Sequence, residues 1–247
     1  MSISALIVAR NEEKIIENAL KSLDFVDEIV VILDRSEDKT KQIALKYSQK
    51  VYEGSWACEG VRRNFGISKC NSDWIIEIDS DEVVSKRLAR EILLKTKIGK
   101  IDFYYIPLIN YLSKKKIING WMACMAPEGK FLLFRKQSKI WKDGSVHPEY
   151  ILKGRKGEVF INCLDHYMSE NYFDLILRFN RNTTLYAKDL KSRNEKLNKL
   201  FSIRKIFSRF IKSFLLKKGY KSGGTGILIA ILCSIYPFIS ALKSKYD

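Results

Sequence analysis

The stretch WIIEIDSDE, residues 74–82, decides how this chain is read. Trp74 to Ile78 is a β-rich apolar run that reads as a buried strand, and Asp79, Ser80, Asp81 and Glu82 follow it without a break. In a turn at a strand end, the carboxylates of Asp79 and Asp81 can converge on one divalent cation carrying a diphosphate. Taken alone, the Asp-x-Asp is equally well explained by a solvated turn whose acids cap the next helix, so its surroundings must decide.

On the N-terminal side, strand-like runs at 4–8, 28–33 and 50–52 alternate with helix-period segments at 11–23, 38–47 and 60–68, and a further helix is expected over 87–94. Such alternation predicts βαβ units and a mainly parallel sheet. Ligands of open sheets sit beyond the carboxyl ends of the strands, so Ala9, Arg10, Asn11 and Glu12, then Asp34, then Asp79 to Glu82 should share one rim. From Asp102 to His166 the pattern changes to short strands, at 103–107, 130–134 and 158–162, which read as the mixed half of the same domain.

Beyond Tyr172 the chain turns helical and basic. Residues 188–221 hold twelve Lys or Arg against Asp189 and Glu195, a net of 12 − 2 = +10 out of a chain total of 44 − 28 = +16. Over 203–218, Ile203, Ile206, Phe207, Phe210, Ile211 and Phe214 fall on one arc, with Lys205, Arg209 and Lys212 opposite. An uncharged stretch, 227–242, follows and is broken by Pro237. At 1.5 Å per residue it spans roughly 24 Å, short of the ~30 Å hydrocarbon core, which favours lying in the interface over spanning it. The expected division is a catalytic domain at 1–172 and a basic amphipathic and apolar helical membrane-associating region at 173–247. A chain ending near Lys199 should then fold its catalytic part.

The 247 residues are 46% hydrophobic and 29% charged, with 13 Gly and 4 Pro, which excludes collagen-like, low-complexity and wholly disordered chains. Five cysteines, at 58, 70, 124, 163 and 233, form no Cys-x-x-Cys and are odd in number. They suggest neither a disulfide framework nor a thiolate zinc site and fit a reducing compartment. The apolar start is short and has no basic residues ahead of it, so the N-terminus is expected to stay in the cytoplasm.

LDRSEDKT, residues 33–40, follows the second strand as Arg10-Asn11-Glu12-Glu13 follows the first. Together with the Asp-x-Asp, this ordering resembles the nucleotide-sugar half of family 2 glycosyltransferases of the A-type fold. The resemblance implies an α/β protein with a Rossmann-like nucleotide-binding half, a mixed central sheet and a C-terminal helical membrane-associating region. It also implies that Asp34 helps hold uridine, although Leu33 and Arg35 stand where the family pattern has an acid and a glycine. EGVRRNFGI, residues 59–67, lies where the most similar subfamily carries a basic-Asn-Arg motif, so Arg62, Arg63 and Asn64 can reach the diphosphate or ribose.

SVHPE, residues 145–149, resembles the Val-His-Glu segment of the lipopolysaccharide inner-core β-glucosyltransferase subfamily, which implies Glu149 as general base. LDHYMSE, residues 164–170, resembles its Leu-x-His-Tyr segment, which implies His166 as a metal ligand beside Asp81. The likeness runs on through NGW at 119–121, FLLFRK at 131–136 and FLLKKGYKSGGTG at 214–226. It fails at Leu132, where the subfamily has Arg, and over 122–129, in the region that should face the acceptor. Trp121, Trp141 and Tyr104 could stack on sugars, but core roles are their default.

The activity implied is an inverting transfer of a sugar from a nucleoside-diphosphate donor, a UDP-hexose, to a membrane-linked glycan or glycolipid such as lipopolysaccharide core or a related surface polysaccharide. Mn²⁺ or Mg²⁺ would be held by Asp81 and His166, with Asp79 nearer the ribose or a metal-bound water. Donor contacts would come from Ala9, Arg10, Asn11, Glu12, Asp34, Arg63, Asn64, Asp79, Ser80 and Asp81. Two alternatives stand beside it. A sugar-phosphate nucleotidyltransferase would carry a Gly-rich loop after its first strand, where Ala9 to Glu12 contains no glycine. A non-catalytic basic protein would bind membrane or nucleic acid. Because the basic face is paired with Phe and Ile and followed by an apolar tail, an anionic membrane surface is the expected partner and nucleic acid is not. The expected location is peripheral, on the cytoplasmic face of the plasma membrane.

Overall fold

A computed structural model describes residues 1–144, 148–192, 197 and 200–247. The chain forms two compact units, one of residues 1–108 and 129–166, the other of 109–128 and 167–247.

In the first unit, β1 (Ile3–Ala9) pairs in parallel with both β2 (Glu28–Asp34) and β4 (Trp74–Asp79), and β3 (Lys50–Gly54) pairs in parallel with β2. β8 (Gly129–Arg135) then runs antiparallel to β4, and β6 (Phe103–Leu112) antiparallel to β8. The α/β expectation therefore holds: a Rossmann-like parallel half is continued by an antiparallel half in one mixed sheet. All seven residues of β1 are buried because helices cover both faces. Ile3, Ala5, Ile7 and Ala9 pack with Ile16 and Leu20 of α1 (Ile16–Lys21) and with Leu88 and Ile92 of α4 (Lys86–Lys95). Leu6 and Val8 point the other way, toward Ile67 of α3 (Glu59–Lys69). Gly66 lets α3 sit this close, since a Cβ there would lie 2.5 Å from Leu6 and 3.1 Å from Ile32.

The sheet also buries a charge pair. Glu77 and Lys139 are 1% and 3% exposed, and their side chains bond directly to each other. The second Glu77 oxygen accepts the Trp141 indole N–H at 2.7 Å, while Lys139 also donates to the Phe131 carbonyl at 2.9 Å. The ammonium sits 4.1 Å from the Trp141 ring and 4.6 Å from the Tyr150 ring. These contacts clamp β9 (Lys139–Trp141), and with it its antiparallel partner β10 (Tyr150–Leu152), onto the centre of the sheet.

The strand expected over 158–162 does not form. Instead, the Glu91 carboxylate of α4 accepts the main-chain N–H groups of Ile161 and Asn162, each at 2.9 Å, so a side chain supplies the bonds that a neighbouring strand would have given.

The second unit holds the distal end of β6, β7 (Lys115–Ile117) and three helices, α5 (Tyr172–Ser192), α6 (Ile203–Ile211) and α7 (Gly223–Tyr246). A π-helical turn at Lys212–Leu216 ends the amphipathic run earlier than residue 218. The uncharged stretch lies within α7, and Pro237 does not break it. Proline removes the N–H that the Cys233 carbonyl would receive, and the Cys124 thiol contacts that carbonyl at 3.9 Å in its place. At 24 residues α7 is about 36 Å long and exceeds a membrane core in length, although the uncharged 16-residue stretch within it still spans roughly 24 Å. It is long and apolar enough to cross a membrane, yet 56% of its most apolar window is buried.

What buries it is the unit's own core. Ile229, Leu232, Cys233 and Tyr236 pack with Leu175 and Phe179 of α5 and with Ile117, Trp121, Met125 and Ala126. The segment 109–128 thus belongs with the C-terminal helices, and a cut between 172 and 173 passes through a shared core. The expectation that a chain ending near Lys199 folds cleanly is therefore revised. Such a chain should expose Trp121, Met125 and Phe179, elute as aggregate on size exclusion and be cleaved within 109–128 by limited trypsin, where the full chain resists; core losses of this kind cost about 2–5 kcal/mol per large side chain.

Candidate active site

The three strand-end clusters meet at the carboxyl rim of the parallel half, cross-linked by hydrogen bonds. Asn11 takes a left-handed φ of 54° and donates its main-chain N–H to Ser36 Oγ at 3.1 Å, while Glu37 N–H returns to Asn11 Oδ1 at 2.9 Å. Glu12 N–H donates to Thr40 Oγ1 and Glu13 N–H to Asp38, at 2.8 and 3.0 Å. Asp38 and Thr40 therefore lock the first two loops together. Ala9 is buried at the end of β1 and Arg10 is exposed.

Asp34 ends β2, is almost wholly buried and is held by two arginines. Arg35 grips it with Nε and Nη2 at 2.9 and 3.0 Å, and Arg62 Nη1 reaches it from α3 at 2.9 Å. Burial opposes ionisation of Asp34, but the Arg35 hydrogen bonds and both guanidinium charges outweigh it and lower its pKa. Arg35 has a φ of 52°, the left-handed region that favours glycine, which explains the glycine of the family pattern at this position. Arg62 Nε is buried without a hydrogen-bond partner.

Asp79, at the end of β4, has both oxygens engaged by cations. Arg63 Nη2 lies 2.8 Å from Oδ1, and Lys130 Nζ, from β8, lies 2.6 Å from Oδ2. Lys130 also contacts Glu82 Oε1 at 2.7 Å, and Glu82 Oε2 accepts the Asp79 N–H at 2.9 Å. Burial pulls against ionisation of Asp79, yet the Lys130 and Arg63 charges hold its carboxyl well below the usual range. For Glu82, burial and the neighbouring Asp79 charge prevail over Lys130, and the pKa rises. Ser80 is buried in the turn.

Next to this cluster, β5 (Glu82–Val83) pairs antiparallel with β11 (Leu164–Ser169), placing His166 opposite Glu82. His166 Nε2 lies 3.4 Å from Asp81 Oδ2. Among the described residues no group of three or more His, Cys, Asp or Glu is arranged to hold a metal. A carboxylate and an imidazole at this spacing nevertheless fit a Mg²⁺ or Mn²⁺ that takes its remaining ligands from a substrate's phosphates and water, a usual arrangement for phosphate-carrying cations.

Two expected site residues stand apart from this cluster. Asn64 spends its amide on the main chain of Trp141, accepting its N–H at 3.0 Å and donating to its carbonyl at 2.8 Å. Glu149 is an exposed side chain paired with Lys142 at 2.9 Å. Ser145, Val146 and His147, which precede it in the quoted motif, lie outside the described residues. Lys130 was missed by the sequence reading. A signal for it existed: Lys130 heads a run whose residues Leu132, Leu133 and Phe134 are all buried, and a lysine entering such a run needs an acidic partner.

Comparison with known proteins follows the same outline. Residues 4–136, more than half of the chain, match the family model described as Glycosyl transferase family 2. An uncharacterized glycosyltransferase of Rickettsia felis is 27% identical over 259 residues, covering 98% of this chain and 92% of its own. The lipopolysaccharide core biosynthesis glycosyltransferase LpsC of Rhizobium meliloti is 25% identical over 255 residues, again covering 98% and 92%. Among solved structures, residues 1–349 of Staphylococcus aureus TarS superpose with a TM-score of 0.49 and 14% identity, over 99% of this chain and 89% of that one.

The bonds of Asn64 generate a direct test of its role. Asn64→Ala should lower stability to urea by about 1–2 kcal/mol, because two main-chain groups of Trp141 lose their partner. Its affinity for UDP by calorimetry should stay within about twofold of wild type, whereas a donor-binding Asn64 would lower it tenfold or more.

Proposed function

The chain belongs to glycosyltransferase family 2, and on that premise we propose that it moves a hexose from UDP, with inversion, onto a membrane-linked glycan such as lipopolysaccharide core or a related surface polysaccharide. That it is a glycosyltransferase follows from the family and from relatives aligned over nearly its full length. The acceptor class is supported by the likeness to LpsC. The observation that carries the donor assignment is the approach of Asp81 and His166 to 3.4 Å at the strand rim, flanked by Arg63 and Lys130.

In this reading, Ala9 to Glu12, Asp34, Arg63 and the Asp79 to Asp81 turn surround the donor, and Asp81 with His166 would hold Mn²⁺ or Mg²⁺. When bound, that cation neutralises charge developing on the departing diphosphate. Glu149 removes the proton from the acceptor hydroxyl. The freed oxygen then attacks the anomeric carbon from the face opposite the diphosphate, and UDP leaves. Glu149 suits this task because its carboxylate is exposed where an acceptor can reach it, on the hairpin anchored by Glu77 and Lys139. Asn64 supports the same hairpin from α3 and is withdrawn from the donor contacts.

Attachment to the cytoplasmic face of the plasma membrane would use the outer surface of residues 173–247. Ile203, Phe207, Ile211 and Leu216 are exposed there together with Arg204, Lys205, Lys212 and Lys218. Apolar insertion and attraction to anionic lipid then act together, and each surface Lys or Arg contributes about 1 kcal/mol. Half of α7 is occupied by the core, which favours lying on the membrane over crossing it.

Two pairs of measurements test this function. Asp81→Ala should abolish the Mn²⁺-dependent part of UDP binding in calorimetry while leaving the melting temperature unchanged. Glu149→Gln should bind UDP normally and lose about 10²- to 10⁴-fold in turnover, scored as UDP release in the presence of acceptor glycolipid; near-normal turnover would remove Glu149 from the base role. For attachment, the full chain should float with anionic liposomes at low salt and release as salt rises. Phe207→Ser combined with Leu216→Ser should weaken flotation without altering UDP binding.

A further inference from the structure

Asp79 and Glu82 aim one oxygen each at a single point, and the chain fills that point itself. Lys130 Nζ stands there, 2.6 Å from Asp79 Oδ2 and 2.7 Å from Glu82 Oε1. Glu82 is fully buried, so its charge depends on Lys130, which Asp79 holds from the other side. In sequence the two acids bracket Asp81, whose partner His166 pairs in β-register with Glu82. Asp81 and His166 thus lie beside the ammonium-bridged acids, and a Mn²⁺ or Mg²⁺ held by that pair would stand next to the positive charge of Lys130.

We propose that Lys130 is a built-in cation that keeps a divalent metal from loading the empty enzyme, so that metal capture depends on the donor's diphosphate. The ammonium neutralises Asp79 and Glu82 and repels a second cation placed beside them. Asp81 and His166 alone are two ligands, too few for tight capture of an ion that prefers six. A nucleoside diphosphate brings the missing oxygens, and its negative charge offsets the repulsion from Lys130 and Arg63. Metal and donor therefore enter together, and loss of the nucleoside diphosphate after transfer releases the metal's grip. This rests on the donor reading above and adds to it the reason for a lysine inside an acidic turn.

The test uses the full-length protein and MnCl₂, followed by the electron paramagnetic resonance signal of free Mn²⁺, with and without UDP. Wild type should bind Mn²⁺ weakly alone and about tenfold or more tightly with UDP. Lys130→Met and Lys130→Gln, each checked for folding by its melting curve, should bind Mn²⁺ without UDP about tenfold or more tightly than wild type, while Lys130→Arg, which keeps the charge, should behave as wild type. The proposal is overturned if wild type binds Mn²⁺ equally with and without UDP, or if folded neutral variants gain no affinity for Mn²⁺ alone. If wild type binds no UDP even with Mn²⁺ present, the donor reading itself fails and takes this proposal with it. Should the Met variant not fold, the Gln variant, isosteric with the first part of lysine and able to bond both carboxylates, carries the comparison.

Discussion

The carboxylate of Asp79 is the point from which the polar rim is organised. It ends the central strand β4 and receives a guanidinium from α3 on one oxygen and an ammonium from β8 on the other, so one side chain fixes three elements. The same helix sends Arg62 to Asp34 at the end of β2. Strand ends crowded with acids would repel each other and resist burial. Here the cations come from different elements, and satisfying each acid also sets the distance between helix and sheet. Placement of α3 over the sheet is thus electrostatic at the rim and steric beneath it, where Gly66 meets Leu6 and Ile32.

One pleat below Asp79 on the same face of β4, Glu77 repeats the arrangement in the interior. Its partners Lys139 and Trp141 belong to the hairpin that leads into residues 145–149. A buried pair of this type adds little net stability compared with an apolar pair, but removing one partner leaves an uncompensated charge at a cost of about 3–5 kcal/mol. Its value lies in register, because only one position of the hairpin brings Lys139 to Glu77, Trp141 to both Glu77 and Asn64, and the ammonium onto the Trp141 and Tyr150 rings. The hairpin of β9 and β10 therefore inherits its position from the core beneath the Asp79 turn.

The parallel half was legible because its strands are short unbroken apolar runs, buried on both faces and ended by polar clusters, a local pattern that needs no knowledge of partners. The convergence of Asp81 with His166 was legible only through resemblance, since 85 residues separate them and nothing in spacing joins them. Asn64 was read as a donor contact because an amide next to two arginines looks like part of a ligand site, while its bonds to a main chain 77 residues away left no local signal. Residues 158–162 have strand composition, but the side chain of Glu91 takes the N–H groups of Ile161 and Asn162, and among the described residues only Phe160 N–H bonds a neighbouring strand, at the Tyr105 carbonyl. Pro237 looked like a break because the thiol that meets the freed carbonyl lies 109 residues earlier. In these last three, a long-range partner satisfied a group that local rules count as unsatisfied.

The division of the second core between residues 109–128 and α7 has a consequence for synthesis. Trp121 and Met125 leave the ribosome roughly a hundred residues before Ile229 and Tyr236, which at about 5–20 residues per second is a delay of roughly 5–20 s. During that interval the parallel half already has all its strands from β1 to β4, while an apolar face waits for a helix not yet made. Until α7 is made, the Trp121 face lacks the helix that covers it in the folded unit, so this part of the second core can close only after the parallel half has all its strands.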